Sequence, residues 1–290
     1  MPDAGWDDFQ FNGIGTRWEI ATPLQLEPSL QAALLRLVER FDADWSRFRH
    51  DSPVTALARE PGRHEFPAEA GPLGLLYRSL YDVTGGAMTP LIGASLERLG
   101  YDAGYSLQPS GPPQPAPAWE EVLEWTGSTV TTKAPVVLDI GAAGKGLLVD
   151  LLATELEAAG VGTFIIDASG DLLVRGPGVV PVALEHPYNT TQAIGMVSLT
   201  QRALCASAAN RRAWGDGLHH VLDGKTGRPV RTAVATWALA DTAMLADALA
   251  TALFFVPGPE LQQSFEFSWL TVFSDGSAAY SSEFEGTLFT

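Results

Sequence analysis

Pro135-Val136-Val137-Leu138-Asp139-Ile140-Gly141-Ala142-Ala143-Gly144-Lys145-Gly146 reads as a β-type run over Pro135–Ile140 and a tight turn over Gly141–Gly146, with a helix over Leu147–Ala159. Small residues at such a turn let backbone amides approach a ligand closely, and the helix N-terminus that follows favours anions. Lys145 adds a full positive charge able to neutralise a phosphate; the simpler alternative is a solvated lysine on a plain strand–helix turn. The run carries neither the G-x-G-x-x-G of a Rossmann turn nor the G-x-x-x-x-G-K-[ST] of a P-loop. A doubly wound nucleotide fold therefore has no support at the place where it would show.

The rest of the chain agrees. Phe9–Ile20 reads as a strand pair around Gly13 and Gly15, and Pro28-Ser29 opens an amphipathic helix through about Arg40. Ser46–Leu57 reads as irregular, Ala70–Tyr81 as a second helix, and Thr84–Gly93 as a Gly-rich loop into a short helix over Ala94–Leu99. Strands are expected at Phe164–Asp167, Asp171–Arg175, Val179–Leu184, Gly195–Leu199 and Ala203–Ala206, a last strong helix at Ala243–Phe255, and a closing hairpin at Trp269–Ser274 with Ala278–Ser281. Helices and short strands mix without βαβ alternation, which predicts an α+β fold. No repeat of fixed period is present. The Pro-rich stretch near 108–118 reads as an extended linker or insertion.

Composition narrows the function. With 290 residues and 46% hydrophobic content the chain can bury a sizeable core. Its net charge of −16 repels nucleic acid and anionic membrane surfaces at long range, so an anionic ligand needs a local positive site or a metal. A single cysteine, Cys205, excludes an intramolecular disulfide and any Cys-based metal site. Met1–Asp8 lacks a basic and then apolar leader, and no apolar run reaches membrane-spanning length, so a cytoplasmic location is expected.

Two segments concentrate chemistry. Asp247 and Thr251 stand four residues apart in the apolar helical run Leu245–Leu253 and so share one face. Carboxylate, hydroxyl and nearby carbonyl oxygens suit Mg²⁺, which keeps waters and shares ligands with phosphates; an Asp paired with a basic residue and a Thr bonded back to its helix are the plainer alternative. Leu218-His219-His220-Val221-Leu222-Asp223-Gly224-Lys225-Thr226-Gly227-Arg228-Pro229 sets an imidazole, a carboxylate and two cations around a turn. On a strand His219 and His220 face opposite ways. His220 is then the candidate general base, with Asp223 placed to orient it or an acceptor hydroxyl. Arg211 and Arg212 add positive charge, for which a surface salt-bridge cluster is an equal explanation. Oxygen ligands beside a basic, imidazole-bearing loop point to chemistry on a phosphate ester or anhydride. Gly85-Gly86-Ala87-Met88-Thr89-Pro90 offers small residues and a polarisable thioether to a flat ligand, or is a plain loop.

Taken in order, Gly13-Ile14-Gly15-Thr16, Ser46–Ser52, Gly86–Gly93, Leu138–Asp150, Gly170-Asp171, His220–Pro229 and Ala246–Leu253 resemble the ApbE-like FAD:protein FMN transferase family over about residues 11–256. The resemblance implies an α+β, T-fold-related architecture with mixed or antiparallel sheets and packed helices, one flavin transferase domain over 1–290, and FAD bound between two halves. It implies Mg²⁺-dependent transfer of FMN from FAD to a Thr or Ser hydroxyl of an acceptor protein, with release of AMP. By position it implies metal ligation by Asp247, Thr251 and the Ala142 carbonyl. It implies FAD contacts from Ile14, Phe48, Ala87, Met88, Thr89, Asp139, Lys145 and Leu222, and His220 as the base with Asp223 nearby. Hydrolysis of FAD to FMN and AMP, or FAD binding without turnover, are the alternatives. The chain departs from the family pattern at Thr89-Pro90-Leu91, where Asp-Pro-Thr is frequent, at Ile14 for Met, at Ser169 and Ala208 for Gly, and at Gly224 for Pro.

Overall fold

The computed structural model describes residues 5–289, so the first four residues of the stretch read for a leader lie outside the described ones. The first hairpin follows directly from its turn. Asp7–Gly13 and Thr16–Thr22 pair in antiparallel register, and Ile14 and Gly15 take φ of +42° and +78°, the left-handed pair that matches the twist of a two-residue hairpin. A β-branched residue rarely sits there.

The hairpin begins an eight-stranded antiparallel sheet whose strands follow chain order: Asp7–Gly13, Thr16–Thr22, Phe164–Asp167, Asp171–Arg175, Ala203–Ala208, Ala233–Ala240, Ser268–Phe273 and Ala278–Tyr280. Both faces are buried, and the side chains divide between them with period two. Phe164, Ile166, Ala238 and Ala240 join the larger core, while Ile165, Trp237 and Leu239 join a second one. Helices Pro28–Trp45, Gly144–Ala158 and Ala243–Ala252 contribute to the larger core. A three-stranded sheet of Val180–His186, Asn189–Leu199 and Gly286–Leu288 supplies Leu184, Val197 and Leu199 to the second. The α+β expectation holds, and every strand pairing among the described residues is antiparallel.

Pro135–Ile140 corrects the sequence reading: it is extended but joins no sheet. Val136, Leu138 and Ile140 are buried in alternation, while the Val136 N–H donates to the Leu57 carbonyl and the Asp139 N–H to the Pro90 carbonyl. Alternating hydrophobicity marks which side is buried, and here loops rather than a neighbouring strand take the hydrogen bonds. Likewise Leu218–Leu222 is no continuous strand: Leu218–His219 pairs with Ala213–Trp214, Leu222–Asp223 pairs with Arg228–Pro229, and His220-Val221 lies between the two hairpins. Ser46–Leu57 is not wholly irregular, because Ser52 caps a short helix over Pro53–Leu57 by accepting from the Thr55 N–H.

The Pro-rich stretch is a strap laced back onto the fold. The Ser110 N–H donates to the Arg98 carbonyl, Arg98 Nε to the Pro112 carbonyl, Ser95 Oγ to the Gln114 carbonyl, and the Ala116 N–H to the Gly224 carbonyl. Gly227 makes that crossing possible, with φ of +67° and a Cβ position only 1.9 Å from the Gln114 oxygen. Gly227→Ala is expected to cost about 2–4 kcal/mol in urea denaturation and to expose the strap to proteolysis, because strain and overlap act together. Among the described residues no helix is long and apolar enough to cross a membrane.

Candidate functional site

Helix Gly144–Ala158 and helix Ala243–Ala252 meet at Gly146, and that contact builds the floor of the site. A Cβ at Gly146 would lie 2.2 Å from the Ala243 oxygen and 2.8 Å from Asp247 Cβ, so only glycine lets the helices approach this closely. The Gly146 N–H donates to Asp247 Oδ2 at 2.9 Å. Asp150, one turn further on, accepts from the N–H groups of Ala243 and Met244 at 2.8 Å each, satisfying two orphan donors at the neighbouring helix start. Burial holds Asp150 up at about 6 despite those bonds.

Above this floor opens a cavity of about 780 Å³, lined by Ile14, Phe48, Ala87, Met88, Thr89, Asp139, Ala142, Lys145, His220, Leu222, Asp247 and Thr251. Twelve of the thirteen residues singled out in the sequence thus share one space. Asp223 is the exception: it does not line the cavity, and its Oδ1 accepts from the Lys225 N–H at the turn. No hydrogen bond joins it to His220 among the described residues. The altered loop is stitched to this turn. The Gly224 N–H donates to the Ala87 carbonyl at 2.8 Å, and a Cβ on Gly224 would fall 2.7 Å from Thr89 Cγ2. The changes at 89 and 224 therefore fit each other sterically. Thr89 is buried and its hydroxyl caps the turn after it, accepting from the Leu91 N–H.

The charges at the floor are few and closely held. Lys145 Nζ lies 3.1 Å from Asp171 Oδ2, and Asp171 is fully buried. Neither Asp171 oxygen has a well-aligned hydrogen bond among the described residues, so the pairing is chiefly coulombic. Burial pushes Asp171 up, and Lys145 only partly offsets it. Burial and then the Asp171 charge carry Asp247 up to about 8. Lys145 goes the other way: burial would lower it, but Asp171 and Asp247 together raise it above the usual lysine value. Two carboxylates thus share one ammonium in a poorly solvated place, an arrangement that a further cation relieves.

A second ion pair also borders the cavity. Arg47 Nε donates to Asp139 Oδ2 at 2.6 Å, and its guanidinium lies 4.2 Å from the Phe48 ring centroid and 5.1 Å from that of Tyr101. Burial alone would raise Asp139, but the Arg47 charge and the N–H of Gly141 hold it below the ordinary carboxylate range. Both Arg47 Nη atoms are buried without a hydrogen-bond partner among the described residues; Nη1 lies 3.7 Å from Glu97 Oε1, which leaves Nη2 as the donor with no ionic partner among the described residues. His220 Nδ1 is also buried and unpaired, and burial followed by the Arg212 charge takes its imidazole down to about 3. It is neutral across the physiological range and has a lone pair to offer.

Neither Arg47 nor Asp171 had an assigned role in the sequence reading. Arg47 lies in a stretch read as irregular, and its partner is 92 positions away, beyond any local pattern. Asp171 carries two signals, its place in the family-like Gly170-Asp171 and a carboxylate in the strand Asp171–Arg175 where a core residue would be expected.

A sequence model of the ApbE family matches residues 14–268 of this chain. The chain belongs to the ApbE family. Its relatives include an FAD:protein FMN transferase of Rhodobacter capsulatus, 29% identical over 269 residues, which span 84% of this chain and 50% of that protein. The chain thus spans about half the length of this relative. An FAD:protein FMN transferase of Vibrio cholerae is 24% identical over 248 residues, covering 78% of this chain and 72% of the relative. The fold agrees with the crystal structure of the ApbE protein from Thermotoga maritima at a TM-score of 0.84, with 23% identity over 97% of this chain and 99% of the other. It also matches the flavin transferase ApbE from Vibrio cholerae at 0.78, with 20% identity over 96% of this chain and 98% of the other.

Proposed function

We propose that this chain is an Mg²⁺-dependent FAD:protein FMN transferase acting as one domain, moving FMN from FAD onto a Thr or Ser hydroxyl of an acceptor protein and releasing AMP. One observation carries the reading: a single cavity of about 780 Å³ brings the oxygen donors Asp247, Thr251 and Ala142, the cation Lys145 and the imidazole of His220 together. The donor set fits the metal. All three groups are hard oxygens, only one is an anionic carboxylate, and the remaining positions suit water and phosphate, which is how Mg²⁺ is commonly held. The crowded negative charge of Asp171 and Asp247 around Lys145 fits it as well. When bound there, Mg²⁺ supplies charge stabilisation to the pyrophosphate oxygens.

The protein's own groups account for the rest. Lys145 and Arg47 offer two separate cations to the anionic dinucleotide, with Phe48 giving an aromatic face to a ring. Met88 and Leu222 supply apolar surface, and the small side chain of Ala87 leaves room for a flat ligand. The acceptor oxygen attacks the phosphorus of the FMN half, the bond to the bridging oxygen breaks, and AMP departs with that oxygen. His220 takes the hydroxyl proton as the new phosphodiester forms.

Incubation with FAD, Mg²⁺ and an acceptor tests the reading through covalent flavin on the acceptor and AMP in solution. FMN and AMP without an acceptor would mark hydrolysis, and recovered FAD would mark binding alone. His220→Asn is expected to slow transfer by roughly 10²–10⁴-fold with FAD affinity unchanged. The low imidazole value also shapes the pH profile. Because burial and Arg212 hold His220 down at about 3, kcat/KM measured at saturating Mg²⁺, which keeps Asp247 ionised, is expected to show no histidine limb near 6.5. A limb near 6.5 that disappears in His220→Asn would show that the imidazole is not held down by its surroundings.

A further inference from the structure

The cavity accounts for only part of the positive charge in residues 211–231. Arg211, Arg212, Lys225, Arg228 and Arg231 fall in this stretch with only two carboxylates, Asp216 and Asp223, in a chain whose net charge is −16. All five cations are exposed. Arg211 pairs with Glu185 at 2.9 Å, but Arg212, Lys225, Arg228 and Arg231 form no ion pair with any described residue. Arg228 is the telling case: it stands opposite Asp223 in the hairpin register, yet Asp223 turns its Oδ1 to the Lys225 N–H and leaves the guanidinium free. An acidic chain that folds with unused cations grouped in one stretch has charge available for something else.

Their placement says for what. The hairpin Ala213–Trp214 with Leu218–His219 lies before His220, and the hairpin Leu222–Asp223 with Arg228–Pro229 lies after it. Arg211 and Arg212 reach the cavity lining, while Lys225, Arg228 and Arg231 lie outside it. His220 lies in the two-residue link between the hairpins, and the Cβ position of Gly217 in the first is 3.6 Å from an Nη of Arg231, which follows the second. We propose that the two hairpins form a docking surface for an acidic segment of the acceptor protein, with carboxylates on both sides of the modified Thr or Ser. This proposal rests on the transferase reading and specifies its protein substrate. A short acidic segment suits the surface better than nucleic acid or a membrane. Beyond a Debye length of about 8 Å an extended polyanion would meet the acidic remainder of the chain.

Two labelled peptides of equal length test it, each with one central Thr, flanked in one by Asp and Glu and in the other by Asn and Gln. Fluorescence anisotropy with the full chain, FAD and Mg²⁺ at about 50 mM salt is expected to show the acidic peptide bound roughly ten-fold or more tighter, with most of that advantage gone at about 500 mM. In the triple variant Lys225→Glu, Arg228→Glu, Arg231→Glu the preference should disappear and a Lys-flanked peptide should bind better instead. The triple Gln variant should lose the preference without reversing it, which serves if the Glu variant folds poorly. Equal binding of the two peptides to the wild type, or an unchanged preference in both variants, overturns the proposal. So does tighter binding of a single-stranded oligonucleotide, or of phosphatidylserine vesicles, than of the acidic peptide. FAD binding, titrated separately by flavin fluorescence, keeps the two readings apart: its absence in the wild type defeats the transferase assignment, whereas lost peptide preference with intact FAD cleavage defeats only the docking surface.

Discussion

Asp247→Asn is expected to make the metal-free protein more stable at alkaline pH while removing its response to Mg²⁺. Burial and the nearby Asp171 hold Asp247 at about 8, against 3.8 for an unperturbed aspartate. Between those values the native state keeps a proton that the unfolded chain has released, so this contribution is present below 3.8 and is lost as pH rises through about 8. Asparagine cannot ionise, and its amide oxygen can still accept from the Gly146 N–H. Wild type should therefore lose stability from pH 5 to 9 in EDTA more steeply than the variant. At pH 9 the variant should melt higher by roughly 5 °C. Asp150 is also raised, to about 6, and adds a slope of the same sign to both proteins, so the difference between them reports Asp247 together with the Asp171 and Lys145 charges it interacts with. With Mg²⁺ the order reverses: wild type gains melting temperature and the variant does not, and FMN transfer falls by roughly 10²–10³-fold. Melting scans across pH with and without the metal decide this. A variant that keeps the Mg²⁺-dependent rise would show that Asp247 is not a ligand.

Gly146→Ala is expected to damage stability and site together. The new methyl would be placed 2.2 Å from the Ala243 oxygen and 2.8 Å from Asp247 Cβ, and the first of these is backbone inside a helix start already capped by Asp150. Nothing flexible can give way, so the two helices must separate, at about 3–5 kcal/mol. Separation also withdraws the Gly146 N–H from Asp247 and shifts the carboxylate relative to Thr251 and Ala142. Whatever fraction folds should then bind Mg²⁺ and FAD poorly. Gly162→Ala is the matching control, because its Cβ position has no neighbour within 4 Å and its stability should change by no more than about 0.5 kcal/mol. Urea denaturation of both proteins, with FAD titration of each, tests the pair. Equal midpoints for the two variants would mean that the helix contact at Gly146 is not tight.

Much of this was legible in the sequence wherever a local period carried it. The apolar face of Pro28–Trp45 and the shared face of Asp247 and Thr251 follow from helix geometry alone, whereas the strand Ala233–Ala240, buried along nearly its whole length, has no alternation to announce it and is absent from the sequence reading. The family resemblance then placed residues as far apart as Ile14 and Thr251 in one site, and the cavity holds both. Other features had no local trace. The burial alternation of Pro135–Ile140 looks like a strand because a buried loop and a strand share the same period, and only the absence of a neighbour distinguishes them. Asp223 follows His220 closely in sequence, yet the break between two hairpins gives its carboxylate to the Lys225 turn.

By itself the sequence determined much of what would be buried and where chain direction would reverse, since these depend on residue type and near neighbours, and the family resemblance it carries named the candidates for the chemistry. Only the tertiary structure decided how those side chains are charged and paired. Arg47 finds Asp139 across 92 positions, and Gly146 finds Asp247 across 101. The opposite shifts of Asp247 and His220 arise from burial and from charges on other elements. Ionisation answers to the dielectric and the charges that surround a group in space, and no stretch of chain contains that information until it is folded.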